Sequence, residues 1–337
     1  MSSDKTHFFI IGAQRSGTTL LRLLLNAHSQ VAIPEDGTFW MPLIRAHHSN
    51  PHKPIRGRLL SNHIEYLRKN DQVKKWKLDI DHLLEEFLFT GEATLKELIE
   101  SFYVEFAKKN NKIFWGDKSP SFFRKVKELS EIFPTAKFIH IIRDGRDVYL
   151  SMRDRLAGRR NVAVAAMEWK YKMHKARQSL SQLPSDRWLE VKYEDTLKAP
   201  EPGIKDICNF LGIDYEETML DFWKSSHKFV DNYHSDLIFK PISLSPVEKW
   251  KKEMTDGDNR IFEYIAGDML ENCRYEVTSM GRFTNYCKVK ALGMLYTGLP
   301  RRGIQVLHTA LVLQLSSLLG LKTSMAGGEV KPDGKSA

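Results

Sequence analysis

The chain has 337 residues, of which 42% are hydrophobic and 28% are charged, and this balance is typical of a globular protein that buries a full core. Its 51 basic and 42 acidic residues give a net charge of +9, which favours anionic partners such as nucleotides, acidic peptides or membrane surfaces. The three cysteines, Cys208, Cys273 and Cys287, have neither paired nor metal-ligand spacing. The sequence therefore argues against a disulfide framework and a zinc site, and it favours a reducing compartment.

The first apolar run, Phe8 to Ile11, is too short for a signal peptide or a membrane span. Residues 303–321 are rich in Leu and Val but are interrupted by polar side chains, which fits an amphipathic or packed helix better than a span. We therefore expect a cytoplasmic protein without a transmembrane helix. Its C-terminal helices are candidates for peripheral contact with a membrane.

The first predicted elements are a strand and a helix that flank a glycine loop. The β-rich run Phe8 to Ile11 ends at Gly12, and an apolar run at 20–25 follows the loop. Apolar residues at helical spacing predict further helices over residues 95–106 and 122–133. Residues 162–178 and 204–211 are also predicted to be helical, and a glycine follows the second of these segments. Short β-rich runs predict two more strands, over residues 137–142 and 188–191.

This alternation of strands and helices predicts an α/β fold of P-loop type. We expect a mostly parallel sheet flanked by helices on both faces, with a ligand at the carboxyl ends of the strands. One domain should cover residues 6–278, with an irregular insertion over 40–75, where His, Asn, Pro, Lys and Arg show little clear period. A helical C-terminal extension is predicted over 279–325, and a disordered tail over 326–337.

The loop Gly12-Ala-Gln-Arg-Ser-Gly-Thr-Thr19 has the two glycines of a nucleotide P-loop at the right spacing. Backbone N–H groups and the amino end of the following helix can cradle a phosphate there. The nucleoside triphosphatase motif needs a lysine after the second glycine, where this chain has Thr18. Hydrolysis of ATP or GTP, with its obligatory magnesium ion, is therefore disfavoured. The alternative is a tight strand-to-helix turn that binds nothing.

A second polar motif, Arg143-Asp-Gly-Arg146-Asp147, directly follows the predicted strand 137–142. An arginine fork gives charge-assisted, directional binding of a phosphate. The alternative is a surface turn in which the arginines and aspartates pair with one another.

Together the two motifs resemble those of the sulfotransferases that depend on 3′-phosphoadenosine 5′-phosphosulfate (PAPS). The glycine loop is similar to the family's 5′-phosphosulfate loop, which implies donor contacts from Arg15, Ser16, Gly17, Thr18 and Thr19. The segment 142–151 is similar to the family's 3′-phosphate motif. The resemblance implies that Arg143 and Ser151 hold the 3′-phosphate, with Arg155 one helical turn beyond the serine.

The resemblance extends over residues 7–275 and points to the tyrosylprotein sulfotransferase branch and its bacterial relatives. The segment Asp117 to Pro120 is similar to the branch's lysine-containing turn. This implies that Lys118 acts on the sulfonate and the leaving phosphate together with Arg15. Segments similar to the branch's Tyr-Glu segment and closing loop imply further contacts to the donor nucleotide from Tyr193, Ser235, Lys240, Ser243 and Lys249.

The resemblance also implies a carboxylate base shortly after the helix that follows the glycine loop. Two adjacent carboxylates, Glu35 and Asp36, compete for this role. Asp36 falls at the branch's base position, but the branch more often has Glu there, so Glu35 is the alternative. Both carboxylates could instead simply solvate a turn. A minor alternative set of bases consists of four histidines in or near the same region, His28, His47, His48 and His52.

We therefore expect an enzyme that moves a sulfonate group from PAPS to an acceptor hydroxyl, without a metal ion. Protein tyrosine is the first candidate acceptor, since the branch resemblance favours it. The basic stretch 153–177 suits an acidic peptide or an anionic glycan, and a solvated helix face explains it equally well. A carbohydrate or lipid-linked glycan is the alternative acceptor, and a non-catalytic nucleotide-binding protein is a third interpretation. Nucleic acid is not expected, because the aromatic-basic signature of RNA binding is missing. A homodimer is left open.

Overall fold

The computed structural model describes residues 7–35, 37–47, 49–155, 161–226, 236–279, 285 and 287–298. Within them the strands are β1 (Phe8–Gly12), β2 (Val31–Ala32), β3 (Ile55–Arg56), β4 (Glu92–Ala93), β5 (Phe114–Lys118), β6 (Lys137–Ile142) and β7 (Trp188–Lys192). In the order β2, β5, β1, β6 and β7 they form a five-stranded sheet in which every neighbouring pair is parallel. β3 and β4 form a separate antiparallel pair.

The α-helices of the described chain are α1 (Thr18–Asn26), α2 (Met41–Ala46), α3 (Gly57–Lys69), α4 (Asp71–Lys75), α5 (Ile80–Thr90), α6 (Leu95–Lys109), α7 (Val126–Ile132), α8 (Gly145–Arg155), α9 (Val162–Leu180), α10 (Tyr193–Lys198), α11 (Pro200–Leu211), α12 (Trp250–Glu253) and α13 (Asp256–Asn272). Residues 287–298 are also helical. Short 3-10 helices cover Thr38–Trp40, Phe122–Arg124, Ser185–Arg187, Glu217–Lys224 and Asp236–Phe239.

The central strand β1 is buried on both faces of the sheet. Its side chains alternate between two hydrophobic clusters, so that Phe9 packs with Phe138 in one cluster and Ile10 packs with Ile139 in the other. Helices α6 and α7 contribute to the first cluster, and α1 and α11 contribute to the second. Parallel strands need cover on both faces because both faces are apolar. The predicted α/β fold with helices on both faces is confirmed.

The predicted elements around the second half of the sheet are also confirmed. β6 has the predicted bounds 137–142, and β7 extends the predicted strand 188–191 by one residue. Helices α9 and α11 contain the predicted segments 162–178 and 204–211. Gly212 ends α11 with a φ of 78°, in the left-handed region where glycine has no Cβ penalty.

The predicted irregular insertion over residues 40–75 is wrong, because this segment contains α2, α3, α4 and β3. In α3 the side chains of Leu60, Ile64 and Leu67 are buried at helical spacing. The many exposed polar and basic residues between them hide this period in the sequence. The predicted helix 122–133 is interrupted, since a 3-10 helix precedes α7.

Among the described residues, no helix combines the length and the apolar character needed to cross a lipid bilayer. Residues 287–298 are helical, as expected for the C-terminal extension. The rest of that extension, 299–325, and the predicted disordered tail, 326–337, lie outside the described residues.

Candidate functional site

The loop between β1 and α1 contains two residues in the left-handed backbone region. Arg15 has a φ of 69° and Gly17 has a φ of 92°, a conformation that is free of strain mainly for glycine. Position 17 also has no room for a side chain, because a Cβ atom there would lie 2.2 Å from Cδ2 of Tyr193. The ring of Tyr193, at the start of α10, therefore packs directly against this loop.

The amino end of α1 suits a bound anion. Its first turn contains no acidic residue, and its backbone N–H groups and dipole favour negative charge. Thr18 and Thr19 both line the adjacent cavity. Ser16 is fully buried, and its Oγ atom has no hydrogen-bond partner among the described residues. The loop thus offers both the dipole and the hydroxyl groups that a phosphate needs.

Arg143 directly follows β6 and joins three parts of the site. Its Nη1 donates to the carbonyl oxygen of Arg15 at 3.0 Å, and its Nη2 donates to the carbonyl oxygen of Pro246 at 2.7 Å. The guanidinium carbon lies 4.7 Å from the ring centroid of Tyr193, which is a cation–π distance. Nε is buried without a hydrogen-bond partner in the described part of the chain. These neutral partners leave the positive charge of Arg143 available to an anion.

Ser151 on α8 brings the two predicted phosphate-binding motifs into contact. Its Oγ accepts a hydrogen bond from Nε of Arg15 at 2.9 Å, although the two residues are 136 positions apart. The glycine loop and the segment after β6 therefore belong to one site.

A cavity of about 840 Å³ lies at this carboxyl edge of the sheet, within the range of about 300–1,000 Å³ that is typical of small-molecule sites. Its lining includes most of the predicted donor-binding residues, namely Arg15, Gly17, Thr18, Thr19, Arg143, Ser151, Tyr193, Ser243 and Lys249. It also includes apolar residues that the sequence analysis missed, among them Leu197, Phe222, Ile238 and Ile242. Three basic side chains, several hydroxyl groups and an apolar surface can together hold a phosphorylated nucleoside.

Four predicted residues are described but do not line this cavity: buried Ser16, buried Lys118, half-buried Glu35 and exposed Lys240. Lys118 ends β5, which pairs with β1, so its backbone lies at the same edge of the sheet as the glycine loop. Three predictions lie outside the described residues, namely Asp36, Ser235 and the side chain of Arg155.

The segment 143–147 was interpreted either as a phosphate-binding motif or as a surface turn whose charged residues pair with one another, and the structure shows features of both. Arg146 and Asp144 do pair with each other, at 2.7 Å between Nη2 and Oδ2, but both are buried rather than on a surface turn. Nη1 of Arg146 also contacts Oε1 of Glu263 at 2.8 Å. This ion-pair network fixes the amino end of α8 to α13, while Arg143 lines the cavity.

Asp147 lines the cavity and was missed by the sequence analysis. It is 1% exposed, its Oδ1 accepts the backbone N–H of Trp250 at 2.9 Å, and its Oδ2 has no hydrogen-bond partner among the described residues. Burial raises the pKa of its carboxyl group to about 6, and the Arg143 cation opposes this shift. Through Trp250, Asp147 holds the segment that carries Lys249 against α8.

The turn around the candidate base Glu35 is held by two buried side chains. Trp76 donates from Nε1 to the backbone carbonyl of Glu35 at 3.1 Å. The backbone N–H of Gly37 donates to Oδ1 of Asp117 at 3.3 Å, and the same oxygen accepts the backbone N–H of Lys118 at 2.7 Å. Asp117 therefore links this turn to Lys118.

Asp117 is itself fixed by a chain of buried hydrogen bonds. Its Oδ2 accepts the hydroxyl hydrogen of Tyr103, and the Tyr103 oxygen accepts Nε1–H of Trp40 at 2.7 Å. All three side chains are fully buried. Since a buried carboxylate with several donors is strongly oriented, this chain fixes both the candidate-base turn and Lys118.

The described histidines of the alternative base set do not line the cavity. Nε2 of His28 lies 2.8 Å from the carbonyl oxygen of Asp214, and Nε2 of His47 lies 2.8 Å from Nε2 of His63. His52 is exposed, and His48 lies outside the described residues.

A model of the sulfotransferase family matches residues 7–217 of the chain. Protein-tyrosine sulfotransferase 2 of Gallus gallus is 25% identical over 300 residues, which cover 83% of this chain and 70% of that protein. Protein-tyrosine sulfotransferase 1 of Danio rerio is 26% identical over 291 residues, which cover 82% and 74%. The solved sulfotransferase domain of the Synechococcus PCC 7002 olefin synthase shares the fold, with a TM-score of 0.58 and 22% identity over 82% of this chain and 99% of that one.

Gly37→Ala is expected to lower the free energy of unfolding by about 1–3 kcal/mol, the usual cost of an extra carbon in a packed site. A Cβ atom at Gly37 would lie 2.0 Å from the hydroxyl oxygen of Tyr103 and 2.6 Å from Oδ2 of Asp117. Denaturant titration measures the change. Gly257→Ala is the matched control, since a Cβ atom there meets only Oγ1 of Thr255, at 4.0 Å. Equal losses in the two variants would contradict the tight packing at Gly37.

Asp147→Asn is expected to stabilise the protein above about pH 6. The folded-state pKa of about 6 lies above the ordinary value of 3.8, so the folded protein binds this proton more tightly than the unfolded chain. The stability contribution of Asp147 therefore falls as the pH rises from about 4 to about 6 and stays low above that. Denaturant titrations should show a gain on the order of 1–3 kcal/mol near pH 7.5 and little change near pH 4.

The exposed residue Asp206 provides the control for this pH dependence. Asp206→Asn should leave the free energy of unfolding almost unchanged at both pH values. A gain in Asp147→Asn that is the same at both pH values would show that charge burial is not its cause.

Proposed function

The chain belongs to the sulfotransferase family and is a PAPS-dependent sulfotransferase, and we propose that it transfers the sulfonate group to the hydroxyl group of a protein tyrosine. This acceptor is inferred from the two relatives named as protein-tyrosine sulfotransferases, which align over 83% and 82% of this chain. The net charge of +9 suits an acceptor tyrosine with acidic neighbours.

The hydrogen bond between Arg15 and Ser151 carries the assignment of the donor site. We assign the loop of Arg15 to the 5′-phosphosulfate and the helix of Ser151 to the 3′-phosphate. Their contact at 2.9 Å brings the two assigned anion sites within the length of one nucleotide. Since the 3′-phosphate distinguishes PAPS from ATP, two anion sites in one cavity favour PAPS.

The other lining residues fit the remaining parts of the donor. Lys249 supplies a second cation beside Arg143 for the 3′-phosphate, and Nε of Arg143, which has no hydrogen-bond partner among the described residues, is a donor for it. The ring of Tyr193 and the apolar lining around Phe222 offer a surface for the adenine base. Thr18, with the backbone N–H groups of the loop, is assigned to the 5′-phosphate.

In the proposed reaction the acceptor oxygen attacks sulfur in line with the bond from sulfur to the 5′-phosphate oxygen. A bond from the acceptor oxygen to sulfur forms as that bond breaks, and the products are a sulfate ester and 3′-phosphoadenosine 5′-phosphate (PAP). Negative charge grows on the leaving phosphate oxygen, and we assign Lys118 and Arg15 to its stabilisation. Side-chain cations thus supply the positive charge in this proposal, without a metal ion.

The acceptor proton is assigned to a carboxylate of the turn that contains Glu35 and Asp36. A carboxylate within hydrogen-bond reach of the acceptor hydroxyl can take its proton as the new bond forms. The hydrogen bonds of Asp117 to Gly37 and Lys118 support this assignment, because they keep the turn and the catalytic lysine at a fixed spacing. Correct spacing of this kind contributes strongly to rate.

Calorimetric titration tests the donor site. We expect PAP to bind more tightly than AMP or ATP, because Arg143 and Ser151 recognise its 3′-phosphate. Arg143→Ala should weaken PAP binding about 10- to 100-fold, since a hydrogen bond to a charged group contributes about 1.5–3 kcal/mol. Binding of AMP should change much less.

Arg58→Ala, at an exposed position of α3, is the control and should bind PAP like the wild-type protein. If the wild-type protein binds ATP as tightly as PAP, the donor assignment is wrong and the two motifs serve another nucleotide.

Transfer of labelled sulfonate from PAPS to a peptide with a tyrosine among acidic residues tests the acceptor and the catalytic role of Lys118. We expect a labelled peptide with the wild-type protein and a loss of roughly a hundredfold or more in Lys118→Ala, because removal of a preorganised charge typically has this effect. Lys127→Ala, which changes a lysine with an 82% exposed side chain, should keep full activity. Full activity in Lys118→Ala would remove its assigned role.

A peptide with phenylalanine in place of tyrosine should remain unlabelled. Preferred sulfation of a carbohydrate would replace the tyrosine acceptor and keep the donor assignment. Tight binding of PAPS without transfer to any hydroxyl acceptor would favour a non-catalytic nucleotide-binding protein.

A further inference from the structure

The helix 287–298 is fixed to the domain along one face. Ala291 is fully buried in the hydrophobic cluster of α9 and α13, and Met294 packs against the same cluster. Nδ2 of Asn161 donates to the carbonyl oxygen of Met294 at 2.7 Å. At Gly298, a Cβ atom would lie 3.1 Å from the same Nδ2. The orientation of this helix relative to the domain is therefore defined by contacts near its middle and its end.

The opposite face of this helix is apolar and exposed. Val289, Leu292 and Tyr296 are 69%, 59% and 82% exposed, and their spacing of three and four residues places them side by side. Lys288 and Lys290 are exposed as well, and at 100° per residue they lie on the two sides of this apolar stripe. Apolar residues between flanking lysines are typical of a helix that lies in a membrane interface.

The sequence around this helix lacks acidic residues. Residues 277–328 contain no Asp or Glu, although acidic residues make up one in eight of the whole chain. The same stretch contains six basic residues, Arg282, Lys288, Lys290, Arg301, Arg302 and Lys322. Of these, Lys288 and Lys290 belong to the described helix. A charge of +6 in this stretch compares with +9 for the whole chain, so the C-terminal part is a concentrated positive region.

We propose that the helix 287–298 docks on an anionic lipid surface, with Val289, Leu292 and Tyr296 in the interface and the basic residues facing lipid headgroups. Within the described residues this face has three exposed apolar side chains, far fewer than the roughly 20–30 residues per partner of a standard protein interface. A second copy that docked symmetrically through this face would bring the lysines close to their own equivalents. Anionic headgroups would instead supply negative charge, which residues 277–328 lack.

The apolar stretch 303–321 of the same chain is the main competing occupant of this face. It contains no acidic residue, so it would cover the apolar stripe but bring no negative charge to this positive region. An anionic lipid surface matches the apolar stripe and the lysines together.

Co-sedimentation of the full chain with vesicles tests the proposal. We expect binding to mixed phosphatidylcholine and phosphatidylglycerol vesicles, weak binding to phosphatidylcholine alone, and weaker binding at higher salt because salt screens the headgroup charges. The triple variant Val289→Ser, Leu292→Ser, Tyr296→Ser should lose at least about tenfold in vesicle affinity. The control Leu88→Ser, Phe89→Ser changes side chains of α5 that are 47% and 92% exposed and should bind like the wild-type chain.

Equal vesicle binding by the wild-type chain and the triple variant, or no binding by the wild-type chain, would overturn the proposal. Without vesicle binding, a dimer that the triple variant abolishes in light scattering would identify a second copy as the occupant. Without vesicle binding, a loss of thermal stability in the triple variant would identify the stretch 303–321. None of the three substituted residues lines the nucleotide cavity, so unchanged PAP affinity in the variant separates this inference from the proposed function.

Discussion

The guanidinium group of Arg143 is the group on which the rest of the site depends. It donates hydrogen bonds to the carbonyl groups of Arg15 and Pro246 and lies over the ring of Tyr193, so one side chain joins the glycine loop, the segment of Pro246 and the start of α10. A buried cation is costly unless a counter-charge lies nearby. Asp147 provides a counter-charge above about pH 6, the value to which burial raises its pKa. Arg15 and Lys249 also line the cavity, so cations other than Arg143 face an anionic ligand there.

Elements with a local period could be predicted from the sequence, and elements that depend on tertiary contacts could not. β6 is a continuous apolar run, and α9 and α11 have the composition and end signals of helices. β5 was not predicted, since it contains Gly116, Asp117 and Lys118, which are uncommon in strands. β2 has two residues, too few to show any period, and exists because β5 pairs with it.

The residues of the candidate site also fall into those that could be assigned from the sequence and those that could not. Arg15 and Arg143 could be assigned from the sequence, because each follows a predicted strand at a fixed spacing within a recognisable motif. Asp147 could not, since the backbone N–H that it accepts, from Trp250, is 103 residues away. Asp117 could not be assigned either, because Gly37 is 80 residues away and comes near it through the pairing of β2 with β5. Local spacing does not encode such contacts.

The order of the strands arranges the candidate residues in the order in which the proposed reaction would use them. Across the sheet the carboxyl ends lead to Glu35 after β2, Lys118 on β5, Arg15 after β1, Arg143 after β6 and Tyr193 after β7. Neighbouring strands lie about 4.8 Å apart, so the first and last of these positions are separated by four spacings, or about 19 Å. That distance accommodates an acceptor hydroxyl, a sulfonate and a nucleotide placed side by side. Lys118 lies between the turn of Glu35 and the glycine loop because β5 lies between β2 and β1.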